Sequence, residues 1–232
     1  MKKIFVLIAM LSLGAMSWAD DTRDAAIERL HHAGDVLHEI MATPDKGIPE
    51  EVLDHAKCIA VVPHLVKGGF IVGAEGGRGV ATCRTEHGWS APAFFDVEGG
   101  SWGLQIGVEG IDLVMVIQNY EGMRHLLGNK FEIGADASAA AGPVGRHASA
   151  DTDWKMNAEI LTYSRAKGIF AGLTLNGAAV HGDGDAMRAF YGSDTSTRAT
   201  LMGEVPPPPA AMSFLYAVRM AREQAKASRN DH

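Results

Sequence analysis

Apolar residues recur along this chain at two different periods. Ile27, Leu30, Gly34, Leu37 and Met41 fall three or four positions apart. That is the spacing of one helical face, and Asp21 or Thr22 can cap it. Thr43-Pro44-Asp45-Lys46-Gly47 breaks the pattern, and Pro49 suits the first turn of a short second helix, Pro49 to His55. From about Lys57 to Val180 the period shortens. Phe70-Ile71-Val72, Val80-Ala81-Thr82, Ala93-Phe94-Phe95-Asp96-Val97 and Leu113-Val114-Met115-Val116-Ile117 are short apolar runs separated by glycine-rich segments that read as turns. Leu104, Ile106 and Val108 alternate with Gly103, Gln105, Gly107 and Glu109, which places the two sets on opposite faces of a strand. A small-residue stretch, Gly134 to Ala150, follows. Met156 to Ala166 reads as a helix, Ile169 to Leu175 as a strand, and Asn176-Gly177 as a tight turn. Beyond Tyr191-Gly192, Pro206 to Pro209 form a stiff extended spacer. A last helix then carries Phe214, Leu215, Val218, Ala221 and Ala225 on one side. Closely spaced strands with short connections favour antiparallel hairpins over βαβ units. The pattern predicts an α+β fold: a curved, barrel-like antiparallel sheet with N-terminal, internal and C-terminal helices.

The beginning of the chain has a different character. Lys2 and Lys3 precede an almost purely apolar run, Ile4 to Ala15, and Ser17-Trp18-Ala19 supplies small residues where a signal peptidase reads. This is the pattern of a secretory signal peptide over residues 1–19, with an apolar run too short to span a membrane. Its removal leaves 19 basic against 28 acidic side chains, a formal charge of −9 in place of −7. An acidic balance argues against nucleic acid as a partner. Export to the periplasm or beyond puts Cys58 and Cys83 in an oxidising compartment. They are either a disulfide or two buried thiols, and export favours the disulfide. Composition adds one anomaly. There are 27 glycines, of which 23 lie between Gly68 and Gly192, so the excess belongs to the sheet-rich region. Glycines at alternating strand positions, such as Gly103 and Gly107, leave one face bare for a helix or a ligand.

Several motifs carry candidate chemistry. Gly99-Gly100-Ser101-Trp102-Gly103 matches the G-x-S-x-G nucleophile elbow, and Asp136 or Asp183 with His147 or His181 could complete a triad in order. The elbow requires a helix after the serine, whereas Leu104 to Val108 has strand periodicity, so Ser101 reads as a hairpin-turn residue. Gly73-Ala74-Glu75-Gly76-Gly77-Arg78-Gly79 lacks the Lys-Ser/Thr of a phosphate loop and leads into a strand; it reads as a β-turn. His31, Asp35 and His38 share a helical face at zinc-ligand spacing, which is equally the solvated face of an amphipathic helix. Asp183-Gly184-Asp185 is too short for a calcium loop and reads as a turn leading to a helix. Arg219, Arg222, Lys226 and Arg229 draw a basic stripe along the last helix. Such a stripe suits an anionic membrane or simply solvent.

The order of motifs carries a resemblance. Ala56-Lys57-Cys58-Ile59-Ala60-Val61-Val62-Pro63, Lys67-Gly68-Gly69-Phe70-Ile71-Val72-Gly73, Gly88-Trp89-Ser90-Ala91-Pro92, Gly103-Leu104-Gln105-Ile106-Gly107 and Asp112-Leu113-Val114-Met115-Val116 come first. Ala141-Gly142-Pro143-Val144-Gly145-Arg146, Tyr163-Ser164-Arg165-Ala166-Lys167-Gly168-Ile169-Phe170-Ala171-Gly172 and Tyr191-Gly192 follow. Together these stretches resemble the SYLF domain, a lipid-binding family with members among yeast actin-patch proteins and exported bacterial proteins. The resemblance spans roughly Ala56 to Gly192. It divides the chain into a helical segment (20–56), a SYLF-like core (57–192) and a Pro-rich spacer with a C-terminal helix (193–232), all within one domain.

The resemblance implies a non-enzymatic protein that binds anionic phospholipid or phosphoinositide head groups peripherally, without a cofactor or metal. A net charge of −9 opposes adsorption to anionic lipid unless basic residues cluster. On charge and motif position, the candidates are Lys67, Arg78, Arg84, Lys130, Arg146, Arg165 and Lys167, with Trp89, Phe94, Phe95 or Trp102 as apolar contacts. The alternatives are a serine esterase or lipase using Ser101, and an envelope module that binds protein.

Overall fold

A computed structural model describes residues 2–43, 47–128, 130–144, 158–166, 169–171 and 177–230. Within these, side chains are described for 21–43, 47–68, 74–100, 110–128, 130–144, 158–165 and 177–227.

Two very long strands make the frame. β1 (Cys58–Thr85) and β3 (Ala93–Ile117) pair antiparallel from Cys58↔Ile117 to Ala81↔Ala93. The two-residue β2 (Gly88–Trp89) completes the connection between them. The glycine-rich segments expected to be turns therefore lie inside strands: Gly73 pairs with Ser101 and Gly76 with Glu98. Sequence reading missed this because glycine runs usually punctuate strands. Here they let the ribbon curl. A straight strand of 25 steps would reach about 80 Å, yet Cys58 and Cys83 have Cα atoms 3.9 Å apart and are joined by a disulfide. The Arg84 N–H donates to the Lys57 carbonyl at 2.7 Å, so the two ends of β1 also hold each other by main chain. Register shifts fall between Val62 and Leu65 and between Phe70 and Ile71. At the first, His64 takes a left-handed φ of 57° and its N–H donates to Asp112 Oδ1 at 3.1 Å. On the inside of the curl, a Cβ at Gly77 would stand 2.7 Å from Val62 Cγ1. Only glycine admits that approach.

The other edge of β3 is shared. β6 (Ile160–Ala166) pairs with its last third and β8 (Ala178–Gly182) with its first. β4 (Lys130–Glu132) joins β8, while β5 (Ala139–Ala141) and β7 (Ile169–Ala171) flank β6. The result is a strongly curled half-barrel. It is antiparallel except for the β5–β6 pair, which is parallel. Ile160 to Ala166 had read as the end of a helix and is instead β6. Buried Ile160, Leu161 and Tyr163 together with Thr162 and Ser164 leave it no solvated face, and burial between neighbours overrides local propensity. Residues 151–157 of that expected helix lie outside the described residues.

Helices close the open side. α1 (Lys2–Met41) buries Ala26, Leu30, Ala33, Leu37 and Ile40, the face that the spacing marked. It runs on from Lys2 without a cap at Asp21 or Thr22. α6 (Met212–Asn230) lays Phe214, Leu215, Val218, Ala221 and Ala225 against α1 and the core. The two approach closely where Gly34 faces Ala217. α2 (Glu50–His55) begins one residue after Pro49, which serves as its N-cap. Asn119 caps α3 (Tyr120–Leu126) and Ser196 caps α5 (Thr197–Leu201), each by accepting a backbone N–H. Asp183 caps α4 (Gly184–Tyr191), which ends at Gly192 with φ 72°.

Candidate site on the half-barrel surface

Strand register assembles a row of charged side chains that are far apart in sequence. Arg78 of β1 pairs with Asp96 of β3, Asp96 with His181 of β8, and His181 with Lys130 of β4. Directly paired residues point to the same side of a sheet, so Arg78, Asp96, His181 and Lys130 line one face across four strands. Arg78 and Lys130 are exposed at the two ends, and Asp96 and His181 are half-buried between them. The next row on this face contains Glu98 and Glu132, and Glu98 sits 3.5 Å from His181 Nε2.

The row is backed by a buried ion pair. Arg29 of α1, 8% exposed, places Nη1 and Nη2 each 3.1 Å from Oδ2 of Asp183. Its guanidinium also lies 5.3 Å from the Phe94 ring centre and donates to the Gly79 carbonyl at 3.4 Å. Asp183 is itself committed, its Oδ1 accepting the Ala186 N–H at 2.9 Å. Burial holds the Arg29 guanidinium below its ordinary range, against the pull of Asp183. Asp96 is left beside this pair with a shielded Oδ1 that has no hydrogen-bond partner. Burial, and then the Asp183 charge, hold its carboxyl above the usual carboxylate range; Arg29, His181 and Arg78 oppose that shift.

The other expected basic contacts are placed elsewhere. Lys67 forms a half-buried ion pair with Glu75 at 2.6 Å, their side chains 15% and 4% exposed. Arg84 donates to the carbonyls of Ala56 (3.1 Å) and Leu53 (3.1 Å), closing the C-terminal end of α2, and lies 4.8 Å over the Trp89 ring. Burial, then nearby Arg222, lowers its guanidinium. Arg165 bridges Asp112 at 2.9 Å and also meets Glu39 of α1; the hydrogen bond to Asp112 leads the causes that raise it. Arg146 and Lys167 lie outside the described residues. Of the seven, only Arg78 and Lys130 share the described row, and neither makes an ion pair among the described residues.

The apolar candidates are corrected in the same way. Phe94 and Phe95 are core residues, Phe94 edge-on to Phe190 at 5.1 Å, and Trp89 is half-buried beneath Arg84. The Trp102 side chain lies outside the described ones. Ser101 sits within β3 opposite Gly73, without the strand–turn–helix bend of a nucleophile elbow and without the hairpin turn expected of it. His147 lies outside the described residues. His31, Asp35 and His38 form the exposed face of α1. Arg219, Arg222 and Lys226 are exposed on α6, which is docked by its opposite face; Arg222 pairs with Asp54 at 2.5 Å. A cavity lined by Phe95, Leu126, Phe131, Val180 and Leu201 measures about 10 Å³. That is about the room of one water, so it does not take an acyl chain.

Sequence reading named the ends of the row but not its middle. Phe94, Asp96 and Glu98 alternate with Phe95 and Val97, which marks Asp96 as lying on the face opposite Phe95. No sequence signal places His181 or Arg29 beside it.

The comparisons bear on the whole chain. Residues 98–221 match the family model described as "Ysc84: Las17-binding protein actin regulator". The rat "SH3 domain-containing YSC84-like protein 1" is 35% identical over 178 residues, covering 75% of this chain and 52% of the relative. Its Xenopus laevis counterpart is 33% identical over 209 residues, covering 81% of this chain and 62% of the relative. The yeast "LAS seventeen-binding protein 3" is 33% identical over 170 residues, 72% of this chain and 37% of the relative. The chain thus spans about half the length of the mammalian relatives it matches, and in each the shared portion covers at least 72% of this chain. A family model matched over more than half of these residues, with such relatives beside it, shows that the chain belongs to the Ysc84 (SYLF) family.

Proposed function

We propose that this protein is a non-enzymatic module of the cell envelope that binds anionic phospholipid head groups from the surface. The observation that carries this reading is the pair of exposed cations, Arg78 and Lys130, which make no salt bridge among the described residues and are set on one face of the sheet with His181 between them. Charge-assisted hydrogen bonds from such groups are the usual means of holding phosphate. Among the described residues, the cavity under Phe95 is too small for a lipid tail, which supports contact through head groups. The apolar stretch and small residues ahead of Asp20 support an exported protein acting in the periplasm or outside the cell. Flotation with vesicles containing phosphatidylglycerol, at low and high salt, tests the reading. Co-flotation that weakens with salt is expected; no binding at either salt overturns it.

A second reading is a protein-binding module. It is favoured by the family description, which names a Las17-binding actin regulator, and by the yeast relative's name. An exposed apolar pair on α6, Met212 and Tyr216, one helical turn apart, offers a contact surface. Binding to envelope protein that survives Arg78→Gln and Lys130→Gln, with no vesicle binding, would select this reading.

A further inference from the structure

The middle of the charged row contains a group that ought to repel the ligand its ends attract. Asp96 stands between Arg78 and His181, and as a carboxylate it would face any phosphate drawn there. Among the described residues, four charged groups act on it. Arg29 comes from α1, Asp183 from the head of α4, Arg78 from β1 and His181 from β8. Glu98 lies two residues along β3 and holds His181, and Lys130 lies beyond His181 on β4. Arg29 is the strongest source of compensation, but both of its terminal nitrogens are given to Asp183. Asp96 Oδ1 is therefore shielded from water and accepts no hydrogen bond.

We infer that Arg78, His181 and Lys130 form a phosphate site gated by Asp96, which admits a phosphate group when Asp96 carries a proton. The inference deepens the lipid reading and rests on it for the source of the phosphate. Strands lie about 4.8 Å apart, so the backbones of Arg78 and Lys130 stand about 14 Å apart, within the combined reach of the two long side chains. A phosphate held between them lies over Asp96 and His181. Protonated Asp96 removes the repulsion and offers an O–H donor to a phosphate oxygen. Binding takes up a proton, so by linkage affinity rises as pH falls through the range of Asp96. Burial and Asp183 move that range upward from the ordinary carboxylate one.

The test uses the full chain and vesicles of phosphatidylcholine with and without phosphatidylglycerol, at pH 7.5 and pH 5. A second arm titrates the protein with inorganic phosphate and follows the backbone amides of Arg78, Asp96 and His181 by NMR. The unmodified protein is expected to bind both probes more tightly at the lower pH. Asp96→Asn, which cannot ionise, should bind at pH 7.5 about tenfold more tightly than the unmodified protein, the scale of one like charge removed from a partly buried site. It should also lose most of the pH dependence. Arg78→Gln with Lys130→Gln should lose binding at both pH values, and this surface variant gives an answer even if Asp96→Asn does not fold. Phosphate binding with this pH dependence but no vesicle binding keeps the gated site and overturns the lipid reading. Vesicle binding unchanged in both variants keeps the lipid reading and overturns the site. No response of the three amides to phosphate at either pH also overturns the site.

Discussion

Replacing Cys58 and Cys83 together by alanine should lower stability by about 3.5 kcal/mol. The bond closes a span of 25 residues. For a loop of that size the chain-entropy relation gives about 12 cal/mol/K, or about 3.5 kcal/mol at 25 °C. Much of the effect resides in the unfolded chain, but the native geometry explains why it should be realised. β1 leaves and returns to one place, and the bond joins those ends where the Arg84 N–H already meets the Lys57 carbonyl. Both sulfurs are wholly buried, so the native state needs no rearrangement to hold them. Urea unfolding of the oxidised protein and the double variant, followed by circular dichroism, gives the difference directly. The midpoint should fall by about 1.2–3.5 M at an m-value of about 1–3 kcal/mol/M. The melting temperature should fall by about 7–14 °C. A loss under about 1 kcal/mol with unchanged m would refute the reasoning. It would mean that the ribbon ends are held together in the unfolded chain without the bond.

Three further outcomes follow from the packing. Arg29→Met should cost about 3–5 kcal/mol in urea unfolding, because it leaves the Asp183 charge buried without its partner. Asp96→Asn should be more stable than the unmodified protein at pH 8, with the gain shrinking towards pH 3. The folded-state value of Asp96 is raised, so its stabilising contribution is full below the unfolded value and is lost as pH rises through the folded one. Melting temperatures at several pH values check the sign. Gly79→Ala should cost about 1–3 kcal/mol, because the Phe95 ring lies directly over Gly79 and a methyl group would overlap it; the pairing Phe95→Leu should recover part of the loss.

The helical ends were legible because their signal is local. Leu30, Leu37, Phe214 and Val218 announce a buried face through spacing alone, and that face is buried in the fold. The α+β class was legible for a related reason, since short β-branched runs between helical segments read as strands. The continuity of β1 and β3 was not legible. Gly73 and Gly76-Gly77 carry the same letters in a turn as in a strand that bends over Val62. What decides between them is the partner strand, Val97 to Ser101, more than twenty residues away. All of β6 differs from its expected helix for the same reason: Tyr163 and Leu161 are placed by β3 and not by their neighbours in sequence. The site shows the limit most plainly. Positions 78, 96, 181 and 130 become adjacent only through three successive strand registers. A one-residue slip in any of them would turn part of the row to the opposite face.

The glycine excess, which suggested a bare face awaiting a ligand, has a different use at several of the described positions. The Phe95 ring covers Gly79, Tyr163 covers Gly142, Glu75 covers Gly99, and Val62 with Leu65 fills the space over Gly77. Removing the Cβ allows a large side chain from the opposing strand to lie flat on the backbone, so the curled ribbon packs against itself. That arrangement has a cost at Tyr163, whose hydroxyl is buried without a partner and whose ionisation burial pushes well above the usual range. It also bears on function. Where the protein's own rings fill the face an acyl chain has no place, which supports the proposal that contact is made through the exposed cations. Attraction through Arg78 and Lys130 acts across solvent and is screened over about 8 Å at physiological salt. Binding through this row should therefore fade steadily between low and high ionic strength, whereas insertion of apolar side chains would persist. The salt dependence of vesicle binding thus reports on the packing of the glycines as well as on the charge of the surface.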